Sequence, residues 1–243
     1  MRVIKAKSGS VYVWNYIALN KSRMMLFLTL FFLATMLFVL GIRPYASVGL
    51  VMIPLSYVLG VYAYMNYLTW SSGPRGERRV LEDLMRLSDD YFLARNVVIA
   101  PSRGDIDYIV IGPTGVFVVE TKNVGGVVSC DGDTWSRHKV GRGGRIYRLG
   151  VGNPSRQVNR SAKNLKDFLL KHKADIFGSN VPHLWVNSVL VFTNENASLN
   201  LRNPTIDVVS PAQVGDFIIK QKKGLRLSKA VVGRMADAIA RGR

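Results

Sequence analysis

Residues 105–122 constrain the fold of this chain more than any other stretch: two runs rich in Ile, Val, Phe and Tyr flank Gly112-Pro113-Thr114-Gly115. The pattern predicts a β-hairpin with strands Asp105–Ile111 and Val116–Lys122. Symmetric folding sets Ile111 opposite Val116, Asp107 opposite Glu120 and Asp105 opposite Lys122. Strand side chains alternate faces, so the four charged residues are expected to share one face with Ile109, Ile111, Val116 and Val118. Ile106, Tyr108, Val110, Phe117 and Val119 would line the other. Two apolar faces imply a sheet covered on both sides. Directly opposed Cβ atoms lie about 4.5–5.5 Å apart, where like charges repel. Facing carboxylates in such a setting call for a compensating cation, and a hard divalent ion matches their oxygen chemistry. The alternative is the solvated polar end of an ordinary hairpin.

Charge is unevenly distributed. The chain of 243 residues carries a net +17, yet residues 1–70 hold six Lys/Arg and no Asp or Glu. The remainder has 27 basic against 16 acidic residues, a net of +11, which suits a polyanionic partner, nucleic acid or an anionic membrane surface. Cys130 is the single cysteine, so no intrachain disulfide exists, and it reads as a small buried hydrophobe.

Residues 24–42 and 45–70 are uncharged and long enough to cross a bilayer as helices, with Arg43 and Pro44 alone between them. Tyr64, Tyr67 and Trp70 resemble an interfacial belt. Lys21 and Arg23 before the pair, and Arg75, Arg78 and Arg79 after it, place both flanks in the cytoplasm by the positive-inside rule. The expected organisation is a basic cytoplasmic segment at 1–23, a transmembrane hairpin at 24–70 and a linker at 71–75. A soluble domain at 76–215 and a basic helical segment at 216–243 would follow. The long leader and the second span argue against a cleaved signal peptide. Neither span carries an acidic residue or a Lys, so the pair reads as an anchor rather than an ion path.

In the soluble part, a helix is expected near Gly76, with Glu77 on the same stripe as Val80, Leu81 and Leu84, facing the sheet. Val97–Ala100 reads as a strand, Pro101–Gly104 as a turn, and Gly125–Ser129 as a continuation of the sheet. Residues 137–148 read as a flexible basic loop, its Arg137, Lys139, Arg142, Arg145 and Arg148 suited to phosphates, with Trp135 and Tyr147 available to stack on bases. Asn153 and Pro154 predict an N-cap and first helical residue. That helix carries Gln157 on the edge of its apolar stripe and Arg156, Arg160 and Lys163 on its surface. Ser188–Phe192, Asp207–Val209 and Ser228–Arg241 complete the expected elements.

The motifs together resemble the nuclease-related domain (NERD) family of the PD-(D/E)xK nuclease superfamily. They are Gly76-Glu77, Asp105-Ile106-Asp107, Gly112-Pro113, Gly115-Val116-Phe117, Glu120-Thr121-Lys122-Asn123, Trp135, Asn153-Pro154, Gln157 and Asn159. Tyr108 departs from the family, where His often follows this position, but it is not a core catalytic position. The resemblance implies an α/β fold with a restriction-endonuclease-like core of mixed sheet flanked by helices, here preceded by two transmembrane helices. It implies Asp107 and Glu120 as ligands of magnesium, or manganese in its place, with the Thr121 carbonyl and Glu77 as further ligands. Lys122 would orient water or neutralise phosphate, Gln157 would position the site, and Asp105 and Asn159 would be secondary. The expected function is a metal-dependent nuclease at the cytoplasmic membrane face, with DNA as substrate and the bilayer as anchor. The rival readings are a tether that binds nucleic acid without cutting it and a scaffold contacting anionic lipid.

Overall fold

The computed structural model describes residues 2–5, 10–41, 44–100, 104–141, 143–222 and 225–242. They form two compact units, Gly9–Arg75 on the one hand and Met1–Ser8 with Gly76–Arg243 on the other. Arg43, residues 101–103 of the expected turn and Arg142 lie outside the described residues.

The first unit is a pair of helices, α1 (Ser10–Val39) and the first part of α2 (Tyr45–Leu84). Asn15–Val39 and Tyr45–Thr69 are apolar stretches of 25 residues each. At about 1.5 Å per residue each exceeds the roughly 30 Å hydrocarbon thickness of a bilayer. The helices approach through small residues. A Cβ on Gly49 would stand 2.7 Å from the Ala34 carbonyl oxygen, and Ala34, Ser56 and Ala63 are buried while Phe32, Leu50 and Tyr62 are exposed. Larger side chains meet there too: the Phe31 ring lies 6.3 Å from that of Tyr57, and a Cβ on Gly60 would stand 3.6 Å from the Phe27 Cβ. Ser71–Pro74, expected as a linker, is instead helical, because α2 passes through it; a proline removes one helical hydrogen bond and need not end a helix that continues on both sides.

The second unit is a mixed α/β domain. Its strands are β1 (Arg2–Lys5), β2 (Phe92–Val98), β3 (Asp105–Gly112), β4 (Gly115–Lys122), β5 (Gly126–Asp131), β6 (Thr134–Val140), β7 (Ile146–Leu149), β8 (Val186–Phe192), β9 (Ala197–Arg202) and β10 (Asp207–Val209). Its helices beyond the end of α2 are α3 (Pro154–Lys171), α4 (Lys173–Phe177), α5 (Val214–Lys220) and α6 (Lys229–Arg241). One sheet has the order β1-β2-β3-β4-β8-β10, and a second has the order β7-β6-β5-β9. The strand expected at Val97–Ala100 begins five residues earlier, at Phe92. Gly125–Ser129, expected to extend the main sheet, belongs to the second one, where β5 pairs with β6 and β9.

The main sheet is covered on both faces, which is why its strands are apolar on both. Ile109, Ile111, Val116, Val118 and Leu190 pack with Val158, Leu165 and Leu169 of α3 and Met235 and Ile239 of α6. Tyr108, Val110, Phe117, Val119 and Val189 pack with Val80 and Leu84 of α2 and Val214 and Ile218 of α5. The carboxylate-bearing ends of β3 and β4 thus lie between α2 on one face and α3 on the other.

Candidate active site

The β3–β4 pairing follows the expected register, with Ile111 opposite Val116 and Tyr108 opposite Val119, and the ladder ends there, one step before Asp107. On its other side β3 pairs with β2 at Arg95–Tyr108 and Val97–Ile106, bracketing an Asn96–Asp107 step at which Asn96 has φ 50°. Both strands change phase at that step. Phe92 and Ala94 share a core with Val97, and Ile106 shares that core with Ile109 and Ile111 rather than joining Tyr108 and Val110. The strict alternation expected through Asp105–Ile109 therefore fails. The reason is a local twist at Asp107, which breaks the simple placing of Asp105, Asp107, Glu120 and Lys122 on a single face. Such irregularities re-aim side chains beside functional sites. Asp107 is held in its new direction by Thr121, whose backbone N–H and Oγ1 both donate to Oδ2 at 2.7 Å.

Glu120 is 3% exposed. Its Oε1 accepts from Lys122 Nζ at 2.8 Å and from Gln157 Nε2 at 2.5 Å, and Lys122 Nζ also donates to Gln157 Oε1 at 2.6 Å. Gln157 arrives there because Asn153 caps α3, its side chain accepting from the Arg156 N–H, with Pro154 as the first helical residue. The other Glu120 oxygen, Oε2, is buried with no hydrogen-bond partner among the described residues. Burial, and then the charge of Asp107, push the Glu120 carboxyl up to about 7 against the opposing pull of Lys122. Burial likewise raises Asp107, the Thr121 bonds opposing it.

Glu77 stands at the rim. Gly76 precedes it because a Cβ there would collide with the Thr193 side chain. The Tyr108 hydroxyl donates to the Glu77 carbonyl at 2.9 Å. The Glu77 side chain is exposed, yet close enough to Asp107, Arg95 and Asp105 for their charges to act on it. Partial desolvation and then Asp107 raise its carboxyl, with Arg95 opposing. Its solvent contact limits that effect. Arg95 is a site residue that sequence reasoning passed over. Its guanidinium lies over the Tyr108 ring, 5.6 Å from the centroid. The available signal was a lone Arg inside the otherwise apolar start of β2.

The residues expected to contact nucleic acid divide into two groups. Lys139, Arg145 and Arg148 are exposed and form no ion pair among the described residues; Arg156, Arg160 and Lys163 line the exposed side of α3, and Asn159 is exposed on the same helix. Arg137 is occupied structurally: its Nε donates to the Gly125 carbonyl at 2.8 Å. Residues 137–148 are no loose loop but most of a hairpin, β6–β7. The glycines are gathered in its turn, where Gly143 and Gly144 have φ 85° and 78°. Trp135 is likewise committed, its Nε1 donating to Ser155 Oγ at 2.7 Å and its ring packing on Phe192. Tyr147 remains exposed.

The residues at the sheet end fit a hard divalent ion. A buried carboxylate oxygen without a donor is costly unless a proton or cation meets it, and Glu120 Oε2 is such an atom beside a second raised carboxyl. Among the described residues no three Asp, Glu, His or Cys side chains converge to enclose an ion alone. A site of two carboxylates completed by backbone oxygen and water suits magnesium, which gives up its waters reluctantly.

Residues 72–193 match the nuclease-related domain family. An uncharacterized protein of Bacillus anthracis is 40% identical over 80 residues, spanning 31% of this chain and 35% of that protein. No solved structure matches. The match covers half of the chain and contains Glu77, Asp107, Glu120, Lys122 and Gln157, and the chain therefore belongs to the nuclease-related domain (NERD) family.

Proposed function

We propose that this protein is a membrane-anchored, metal-dependent nuclease that hydrolyses DNA phosphodiesters at the cytoplasmic membrane face. One observation carries the reading: Glu120 is buried with Oε1 fixed by Lys122 and Gln157 and Oε2 left without a donor, next to Asp107. Asp107 and Glu120 would hold magnesium, or manganese in its place, with Glu77 and the Thr121 carbonyl contributing further oxygens. Bound there, the ion supplies Lewis-acid stabilisation of charge developing on the phosphate. Thr121 fixes the direction of Asp107. Gln157 holds Lys122 and Glu120 in one geometry, so the ammonium stands beside the carboxylates, where it offsets phosphate charge. Lys139, Arg145, Arg148, Arg156, Arg160 and Lys163 supply phosphate contacts around this centre. Asp105 and Asn159 serve secondary roles.

The anchor follows from the two apolar helices. Strand β1 precedes both of them in the sequence, yet pairs in parallel with β2, which follows both. Two segments of one sheet lie on the same side of any bilayer, so this pairing supports an even number of crossings. The basic flanks then favour the cytoplasm for both ends.

A second reading, a tether that binds nucleic acid without cutting it, draws support from the fact that no three Asp, Glu, His or Cys side chains among the described residues are grouped to hold an ion. The deciding experiment is plasmid cleavage by the full chain in detergent. Magnesium-dependent nicking, abolished in Glu120→Gln and Asp107→Ala, is expected. Binding in calcium with no cleavage in magnesium or manganese would favour the tether.

A further inference from the structure

The β6–β7 hairpin carries a surface that phosphate contacts alone do not explain. Cross-strand pairing sets Val140 opposite Ile146 at its tip, and the two are 62% and 67% exposed. Opposed residues of an antiparallel pair share a face, so the two form one apolar ridge, with His138 and Arg148 paired behind them on the same face. β7 is also an edge strand whose four residues are all exposed. An apolar edge of this kind invites association and is normally blunted or covered.

Charge selects the occupant. Residues 134–150 contain no Asp or Glu, and Lys139, Arg145 and Arg148 are exposed without ion pairs among the described residues. Arg148 shares the face of the aliphatic pair, while Lys139, paired with Tyr147, lies on the opposite face; cations on both sides of an aliphatic tip match a duplex whose phosphates border the groove on either side. In that setting apolar side chains act as wedges between base steps in the minor groove.

The hairpin is also rigidly referenced to the candidate site. Its base is fixed by the Arg137 bond to Gly125, three residues beyond Lys122, and by the Trp135 bond to Ser155, two residues before Gln157. Asn153 Nδ2 adds a bond to the Asp133 carbonyl. Its tip is closed by the Gly141 N–H bonding to the Arg145 carbonyl at 2.8 Å, and a Cβ on Gly141 would lie 2.5 Å from the Tyr147 ring. The β5–β6 ladder sets Lys139 beside Gly126, where a Cβ would stand 2.7 Å from Lys139 Cγ, and the four residues back from Gly126 to Lys122 span at most about 14 Å, with about 9 Å more across the ladder and on to Val140. The tip therefore lies within roughly 25 Å of Lys122, less than one turn of duplex.

We propose that the β6–β7 hairpin is a wing that enters the minor groove of duplex DNA beside the active centre, with Val140 and Ile146 wedging a base step open. This rests on the nuclease reading and adds to it a substrate form, a duplex deformed near the point of cleavage.

The test uses the full chain in neutral-lipid nanodiscs, with calcium in place of magnesium so that the DNA stays intact. The probe is a DNA duplex carrying 2-aminopurine, scanned along its length. The unchanged chain should raise 2-aminopurine fluorescence about twofold or more at one or two steps. Val140→Ser with Ile146→Ser should lose that rise and about tenfold in affinity while keeping the salt dependence. Lys139→Ala with Arg145→Ala and Arg148→Ala should instead flatten the salt slope by about 3. Unchanged fluorescence in the first variant, or no duplex binding by the unchanged chain, overturns the proposal. An environment-sensitive dye on Val140→Cys separates DNA from lipid: a blue shift only with duplex is expected, and a shift on anionic nanodiscs without DNA overturns it. Plasmid cleavage by the unchanged chain tests the nuclease reading separately, since every readout above is independent of turnover.

Discussion

Asn96 sits across from Asp107 at the step where the β2–β3 ladder is interrupted, and it holds a left-handed backbone, φ 50°. A non-glycine residue in that region is uncommon, and Asn is among the few that tolerate it. The twist introduced there turns Asp107 away from simple alternation and toward Thr121. Asn96→Gly should change stability by less than about 0.5 kcal/mol. Asn96→Val should cost about 1–2 kcal/mol and reduce cleavage along with it. Thermal unfolding in detergent and plasmid nicking check both; equal behaviour of the two variants would mean that the twist does not depend on this residue.

The Glu120 carboxyl titrates at about 7 in the folded chain against an ordinary 4.5. Between those values the native state keeps a proton that the unfolded chain has released, so without metal stability should fall as pH rises through this window. Above it the cost is on the order of 3 kcal/mol. Glu120→Gln should flatten the profile and unfold at a higher temperature than the unchanged chain at pH 8. Magnesium should stabilise the unchanged chain most at that pH and the variant little. Melting curves across pH 4.5 to 8 with and without magnesium decide it.

Gln157 bridges the two ends of the Lys122–Glu120 ion pair. Gln157→Ala removes one donor and one acceptor from a cluster in which Glu120 is buried, Lys122 partly buried and Gln157 exposed, a loss of about 0.5–1.5 kcal/mol. Cleavage rate should fall by about tenfold with duplex affinity unchanged. Lys122→Ala should lose more. Single-turnover rates at saturating enzyme separate chemistry from binding, and an affinity loss matching the rate loss would count against a positioning role.

Strand β1 closes the edge of β2, with Val3 paired to Leu93 and Ile4 to Ala94. Deleting residues 2–5 should leave the α2, α3 and α5 packing in place while opening that edge. Amide hydrogen exchange in Phe92–Arg95 should rise steeply and exchange in β8 should not. Unaltered protection in β2 would show that the strand adds nothing in solution.

The site was legible where local chemistry is self-contained. The β3–β4 register follows from the turn, the α3 start from the Asn153-Pro154 cap, and the core face of α6 from the spacing of Val231, Met235 and Ile239. It was illegible where distant segments decide. Asn96 carries no local sign that it meets Asp107, and alternation assumes a strand that does not twist. The hairpin at 137–148 reads as a loop in sequence because its glycines and arginines mask two short strands, of which β6 is also held by its ladder with β5 and by the Arg137 bond to Gly125. Strand β1 is four residues long, and its partner lies beyond both apolar helices.

That last separation gives the chain an order of assembly. Strand β1 is synthesised first and must wait until β2 emerges, after both apolar helices have been made. On the proposed reading of the two apolar helices as a membrane anchor, a first helix inserted with the opposite orientation would leave β1 across the bilayer from its partner, and the sheet would keep an open edge. Completion of the sheet thus reports on insertion, and a misoriented chain carries an unpaired strand, the kind of surface that quality-control proteases and aggregation both act on.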